Sequence, residues 1–449
     1  MDLTYTKKIE VRYNVDVFVA GGGPAGIAAA VSCAKQGKRV FLAESFSAFG
    51  GAAVTMLVPA FMMFGDGEHF LAGGIGREVY DRICAQAFPA FRKYCPHAIP
   101  VETLKRIYDD MVTDAGVQYL FHTNVIDALT ENGRVRYAVC AAKGSLFAVK
   151  AKVFIDCTGD GDLAYYAGAS YEYGDENART MAATLCGIWS GIDWSRVQKP
   201  DRRMLDQAFA DGIFTNEDRH LPGMWPIAEG SKDDDGGEIP NGIGGSNAGH
   251  IYDADARESA SLTGGIIEGR KQLLEYRAYY RTYLEGFENA ELIYSAPYLG
   301  IRESRRIVCD YSMVLDDFIR RAVFDDEIGR YCYPVDIHSS TNDKAGYETY
   351  HKDHTSLRCQ AGESYGISYR ALAVRDIENL LTAGRCIGAD RYMQSSLRVM
   401  PGCFITGQAA GIAAAVACDT ENANVHQADV RQIQSRLIAM GAYLPNHAV

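Results

Sequence analysis

No two of the chain's twelve cysteines form C-x-x-C. Zinc and cubane iron–sulfur sites draw on closely spaced cysteines, so neither is expected, and no metal ligand set stands out. The thiols are scattered, many in apolar contexts (Cys33, Cys140, Cys157, Cys386), which fits a reduced, cytoplasmic protein. Positive charge is scarce: 45 Lys and Arg face 57 Asp and Glu, a net charge of −12 with a pI near 5.4. That balance argues against a nucleic-acid partner or an anionic membrane surface. The chain is read as lacking any uncharged apolar run of about 18 residues, so no membrane span is expected. The opening MDLTYTKKIEVRYNVD has no apolar core, so no signal peptide is expected. Internal repeats and low-complexity linkers are absent. What remains is a globular composition, 47% hydrophobic and 23% charged over 449 residues, enough for two or three domains.

Residues 14–51, NVDVFVAGGGPAGIAAAVSCAKQGKRVFLAESFSAFGG, carry the clearest pattern. Val15 to Ala20 reads as a buried strand, and Gly21, Gly23 and Gly26 give G-x-G-x-x-G. A helix follows from Pro24 to Lys35, then a strand from Arg39 to Ala43 that ends in Glu44. Each part has a job in a dinucleotide site. Gly21 makes the tight turn, Gly23 lets backbone approach a pyrophosphate, and Gly26 lets the helix lie on the strands. The helix start at Pro24 and Ala25 offers free N–H groups to phosphate. Glu44, followed by Ser45, is placed to accept ribose hydroxyls.

Farther along, residues 45–65 are glycine-rich and apolar, and residues 66–116 hold two amphipathic helical segments, EVYDRICAQAF and VETLKRIYDDMVTDAG. Alternating strands then meet at the Asn132-Gly133 turn. Val153 to Cys157 is a buried strand ending in Thr158-Gly159-Asp160-Gly161-Asp162. Residues 166–330 are mixed, with a long helix that Gly264-Gly265 is placed to interrupt. Residues 331–365 look irregular. NLLTAGRCIGA reads as a strand, and an alanine-rich helix follows Pro401-Gly402. Its Gly407-x-x-x-Gly411 spacing permits close packing, and Pro401 suits a first helical turn.

These separated segments resemble FAD-dependent oxidoreductases built on the glutathione-reductase-type FAD fold, a group often classed with the flavin subunit of heterodisulfide reductase. The resemblance spans roughly 1–170 and 295–430. It implies an α/β, Rossmann-like, three-layer ββα domain with a discontinuous chain, formed by residues 1–165 and 331–449, and an inserted α+β substrate domain, 166–330. It implies non-covalent FAD. Gly21, Gly23 and Gly26 would hold the pyrophosphate, and Glu44 the ribose. Gly50 and Gly51 would pass the pyrophosphate and ribityl chain, Val125 would meet adenine, and Thr158 and Gly159 would close over it. Gly384-Arg385 would lie by the ribityl chain, and Pro401-Gly402 would open the helix aimed at the flavin. Relatives often have Gly-Asp where this chain has Gly384-Arg385, which leaves Asp390 as a candidate acid. The 45–65 loop then reads as the path toward the flavin ring.

For the chemistry, His338 in VDIHSS is the first choice for acid/base work. Arg302, Arg305 and Arg306 in GIRESRR, if helical, share a face; they suit either a carboxylate or phosphate ligand or a salt-bridged surface. Tyr369 and Arg370 are placed to line the pocket. His250 follows a glycine-rich loop and reads as either a pocket residue on a lid or, the favoured reading, an exposed loop histidine. Asp233 to Asp235 read as a solvated acidic run. The expected function is hydride transfer between a small organic molecule and FAD, with an electron acceptor the sequence does not identify and a homo-oligomer compatible with it. Two alternatives stand beside it: an electron-transfer subunit of a heterodisulfide-reductase-like complex, and a non-catalytic flavin sensor or scaffold.

Overall fold

The structure is a computed structural model that describes residues 3–86, 98–198, 201–217, 219–228, 231–232, 238–239 and 241–447. The chain enters through β1 (Glu10–Ala20), exposed at its start and wholly buried over Val17–Ala20. α1 (Pro24–Lys35) and β2 (Val40–Ala43) complete a parallel unit, with Val17 beside Val40. After α2 (Ile75–Gln86) and α3 (Val101–Asp114), β3 (Gln118–Leu120) adds to the far side of β2. The end of the EVYDRICAQAF segment, Phe88, lies outside the described residues. β4 (Thr123–Glu131) and β5 (Arg134–Ala142) form a hairpin on Asn132-Gly133, both at positive φ (52° and 70°), as a two-residue turn of matching twist requires.

β6 (Ser145–Asp156) joins the halves of this sheet. Its start pairs antiparallel with β5, and from Phe147 to Asp156 it runs parallel beside β1. Near its end, Phe154–Asp156, a strand from far along the chain, Leu380–Thr382, pairs parallel with it. The seven-stranded sheet thus draws on residues 10–156 and 380–382, as a discontinuous α/β domain does. Alternation along β1 divides the core. Val17 and Val19 face helices on one side, while Phe18 and Ala20 pack with Phe147 and Phe154 on the other.

Between these parts the chain forms α4 (Asp162–Tyr166), β7 (Tyr171–Tyr173), β8 (Gly187–Ser190), α5 (Arg202–Ala210), β9 (Gly223–Pro226), β10 (Gly244–Asn247), α6 (Ser259–Tyr283) and β11 (Glu291–Ser295). A four-stranded antiparallel sheet, in the order β11-β8-β10-β9, packs α6 behind it around Trp189 and Tyr280. The expected break at Gly264-Gly265 does not occur. α6 runs unbroken for 25 residues; Gly264 faces open space, while a Cβ on Gly265 would sit 2.7 Å from Leu299, and one on Gly269 2.5 Å from Leu185, so these two serve packing.

GIRESRR is not a helix. Arg305–Ile307 forms β12, paired antiparallel with β7, so the three arginines project from extended chain in different directions. α7 (Leu315–Ile319) leads to β13 (Glu327–Tyr331). The region read as irregular holds α8 (Lys344–Ser356), capped by Asp343. β14 (Tyr365–Ser368) pairs with β13, and β15 (Leu380–Thr382) is the strand beside β6. α9 (Arg391–Leu397), α10 (Met400–Cys418) and α11 (Val430–Ala439) finish the chain.

α10 corrects one expectation. It is 19 residues long, has no charged side chain, and is apolar enough to cross a membrane. Every residue of it is buried inside the protein, which makes it a core helix. Its Gly407 and Gly411 lie against the backbone of α1, where a Cβ on either would fall 2.2 Å from the Ala25 or Ala29 carbonyl oxygen. Of the eleven described cysteines nine are buried, and none forms a disulfide.

Candidate active site

A cavity of about 680 Å³ opens where β1, β2, β6 and β15 end, the place where open parallel sheets present their ligand crevice. The first glycines have distinct surroundings there. A Cβ on Gly26 would lie 1.7 Å from the Gly21 carbonyl oxygen, so helix and turn touch backbone to backbone. Gly21 itself holds φ +93° against Cys157. Gly23 differs: its nearest neighbour is Gly51 Cα at 3.9 Å, and both residues line the cavity. Backbone at Gly23 is therefore open to a close ligand, as a pyrophosphate requires, and Pro24 and Ala25 line the cavity beside it at the start of α1.

Glu44 lines the same cavity at the end of β2. Its Oε2 accepts from the Gly22 N–H at 2.6 Å and its Oε1 from the Phe46 N–H at 2.8 Å. Burial raises its pKa, and these backbone donors oppose the rise. Ser45, Gly51, Val125, Thr158, Gly159, Gly384 and Arg385 line the cavity as well. Thr158 is fixed by Asp156, whose Oδ1 accepts from both its N–H and its hydroxyl. Gly50 holds the loop instead, donating to the Gly22 carbonyl at 2.9 Å. Gly26, Pro401 and Gly402 also stand behind the lining: a Cβ on Gly402 would meet the Leu397 carbonyl at 2.6 Å. Val399, Met400 and Cys403 present the first turn of α10 to the cavity.

Arg385 is the sequence departure at the ribityl position. Its Nη2 donates to Asp160 Oδ1 at 2.8 Å. Burial works against its charge, yet Asp160 raises its pKa overall. Its Nη1 is buried and reaches no acceptor among the described residues, an orphaned donor that fits a polar cofactor chain. Asp390 is not that partner. It caps α9 by accepting from Met393 and also holds the Leu315 N–H. Asp160, in the TGDGD turn, is the cavity acid that pairs with Arg385.

The same cavity is lined by a polar cluster that local patterns did not reveal. His338 Nδ1 lies 2.7 Å from His250 Nε2, and its Nε2 faces Asp336 Oδ1 at 3.4 Å. His250 is buried, not an exposed loop residue, because β10 carries it inward. His220 stacks beside both, with ring centroids 4.4 Å from His250 and 5.2 Å from His338. Burial and the neighbouring Arg302 charge hold the His338 pKa well below the ordinary imidazole range, against Asp336. Ring nitrogens of the three histidines lie within 4.8 Å of one another, the span of a metal site. Two features favour a proton and an anion there over a cation: the short His250–His338 contact, and the guanidinium of Arg302 next to it.

Arg302 donates both hydrogens of Nη1, to the Ala182 carbonyl at 2.7 Å and the Thr184 hydroxyl at 2.9 Å. Arg305 and Arg306 turn away to Asp162 and Glu303. Tyr369 and Arg370 do not line the cavity. β14 ends in a tight turn that buries Tyr369, whose hydroxyl donates to the Val425 carbonyl at 2.6 Å, while Arg370 pairs with Asp326 at 3.0 Å near the surface. Asp336, Arg398 and Tyr350 are cavity residues the sequence did not single out. A carboxylate two positions before His338 was the one local signal. The Asp233 to Asp235 run lies outside the described residues.

A family described as FAD dependent oxidoreductase matches residues 16–437. No curated protein matches the sequence. Among solved structures, p-nitrophenol 4-monooxygenase from Pseudomonas putida is 11% identical, covering 95% of this chain and 85% of its own, with a TM-score of 0.48. A geranylgeranyl bacteriochlorophyll reductase-like protein from Thermoplasma acidophilum is 12% identical over 95% of this chain and 87% of its own, with a TM-score of 0.44. A flavin-dependent brominase is 16% identical over 91% and 80%, also at 0.44.

Proposed function

The chain belongs to the FAD dependent oxidoreductase family, and from that premise we propose that it oxidises or reduces a small organic molecule by hydride transfer, in a site roofed by residues 166–330. The protein is an enzyme whose cofactor is FAD. On this reading the FAD fold is of the glutathione-reductase type, with the flavin subunit of heterodisulfide reductase as a relative. Gly21, Gly23 and the start of α1 hold the pyrophosphate, Glu44 the ribose, and Arg385 with Asp160 the ribityl side. Bound FAD supplies the two-electron centre of the reaction.

The observation that carries the reading is that one cavity is lined both by this cradle and by His250, His338 and Arg302. The chain's own part is proton handling and orientation. Asp336 accepts only, so it draws the His338 proton to Nε2 and leaves Nδ1 to accept from His250. Burial holds His338 neutral, and its Nδ1 takes through His250 the proton that leaves a substrate hydroxyl or amine as its C–H bond breaks; the reverse reaction returns it.

Anaerobic exposure of the holoenzyme to a metabolite panel tests this, read by loss of flavin absorbance. His338→Ala is expected to keep FAD and to lose single-turnover reduction by at least about a hundredfold, the usual range for a general base. Undiminished reduction removes His338 from the reaction, and a protein that takes up no FAD overturns the assignment of the cradle.

A further inference from the structure

Arg302 is buried, about one-tenth exposed, and lines the cavity. Among the described residues it forms no ion pair, and its only side-chain hydrogen bonds are the two from Nη1. Nε and both hydrogens of Nη2 are unspent. A buried charge without a counter-ion costs several kcal/mol unless a ligand supplies one.

The other charged groups of the cavity are balanced at home. Glu44 is held by backbone N–H groups, Asp160 by Arg385 and Asp162 by Arg305. Asp336 belongs to Arg398, whose Nη2 donates to it at 2.9 Å. Arg398 also has donors to spare: its Nε is buried with no acceptor among the described residues. Setting the Asp336 carboxylate against the Arg302 and Arg398 guanidiniums leaves one positive charge. The two guanidiniums are near enough that, after burial, Arg398 is the leading cause lowering the pKa of Arg302. Asp336 offsets only one of these two like charges, so a second anion beside them is favoured.

We propose that Arg302 and Arg398 form the anchor for the carboxylate of a small monocarboxylic acid, which is the substrate class of this enzyme. One carboxylate cancels the one excess charge, and its planar pair of oxygens suits forked guanidinium donors. A phosphate dianion overshoots the charge, and an uncharged substrate leaves Arg302 without a counter-ion. His338, His250 and Tyr350 line the same cavity as Arg302 and Arg398, so an acid held at the anchor shares that cavity with the imidazole pair. This inference rests on the reading of the cavity as the substrate site.

Calorimetric titration of the protein as purified tests it, with acetate, propionate and lactate as probes. Propionamide and inorganic phosphate are the uncharged and doubly charged controls. Saturable binding of carboxylates is expected, with neither control binding. Arg302→Gln and Arg398→Gln are expected to weaken it at least tenfold while circular dichroism stays that of the wild type. Should either glutamine variant fail to fold, Arg302→Lys and Arg398→Lys decide, with a smaller but measurable loss. Absent carboxylate binding, tighter binding of phosphate, or folded variants that bind as the wild type overturn the proposal. A protein without flavin that still binds carboxylates overturns the flavin reading and not this one.

Discussion

His338 pays for its position in protons. Unfolded, an imidazole titrates near pH 6.5; folded, burial and Arg302 hold it well below that. Below about pH 6.5 the unfolded chain therefore binds a proton the folded one refuses, and stability falls as pH falls. The limiting slope is about 1.4 kcal/mol per pH unit for one such group. Urea midpoints between about pH 7.5 and 5 are expected to drop more steeply for the wild type than for His338→Asn; parallel curves would show that the group is not refused its proton. Asp336 has a depressed pKa, so the stability it contributes is lost at lower pH, below the usual carboxylate range, outside that window. The Asp160–Arg385 pair makes a second residue-scale case. Arg385→Met leaves a buried carboxylate alone and is expected to cost about 3–5 kcal/mol in urea denaturation. The residues legible in sequence were those with a local job. Gly21, Gly23 and Gly26 each answer to a turn, an approach or a contact within a few positions. His220, His250, Asp336 and Arg398 come from four segments, and nothing near any of them announces the others. Arg302 was noticed as part of a helical face, whereas extended chain is what separates it from Arg305 and Arg306.

At the scale of elements, α10 is organised around α1. Two glycines one turn apart let the helices touch through backbone, and the Ser32 hydroxyl donates across to the Gln408 carbonyl at 3.1 Å. Gly407→Val is expected to destabilise the protein by at least about 1–3 kcal/mol, the usual cost of overpacking, because Ala25 backbone cannot yield. A thermal midpoint equal to the wild type would mean that the two helices separate without cost. This packing was readable, since Gly407-x-x-x-Gly411 between alanines has few other uses. α8 was not, because the half-buried face of KAGYETYHKDHTS, with Tyr347, Tyr350 and His354, is polar and gives no apolar periodicity. α6 was misread at its glycines for the opposite reason. Glycine signals a break only when no neighbour needs the room, and Leu185 and Leu299 do.

For the molecule as a whole, the parallel sheet was legible at its two ends in sequence, and the pairing of Leu380–Thr382 with Phe154–Asp156 explains why both ends carry cofactor motifs. The order of the middle was not legible, since its small antiparallel sheet is built from strands of four or five residues with little alternation. The consequence of that closure is a stability that depends on cofactor. The cradle takes backbone from β1, β2, β6 and β15, which lie far apart in sequence and meet only in the folded chain. A ligand that binds there binds the native state alone. At a thousandfold excess over its dissociation constant such a ligand stabilises by about 4 kcal/mol. Stripping the flavin is therefore expected to lower the thermal midpoint, and adding back FAD to restore it. NAD, which carries no flavin, is expected to restore little. Arg385→Met should shrink the FAD-dependent part of the shift as well as the midpoint of the stripped protein, if the cofactor takes the Nη1 donor that is buried without an acceptor among the described residues. Equal FAD-dependent shifts in the variant and the wild type would leave Arg385 a partner of Asp160 only, and would return the ribityl position to an acid elsewhere in the cavity.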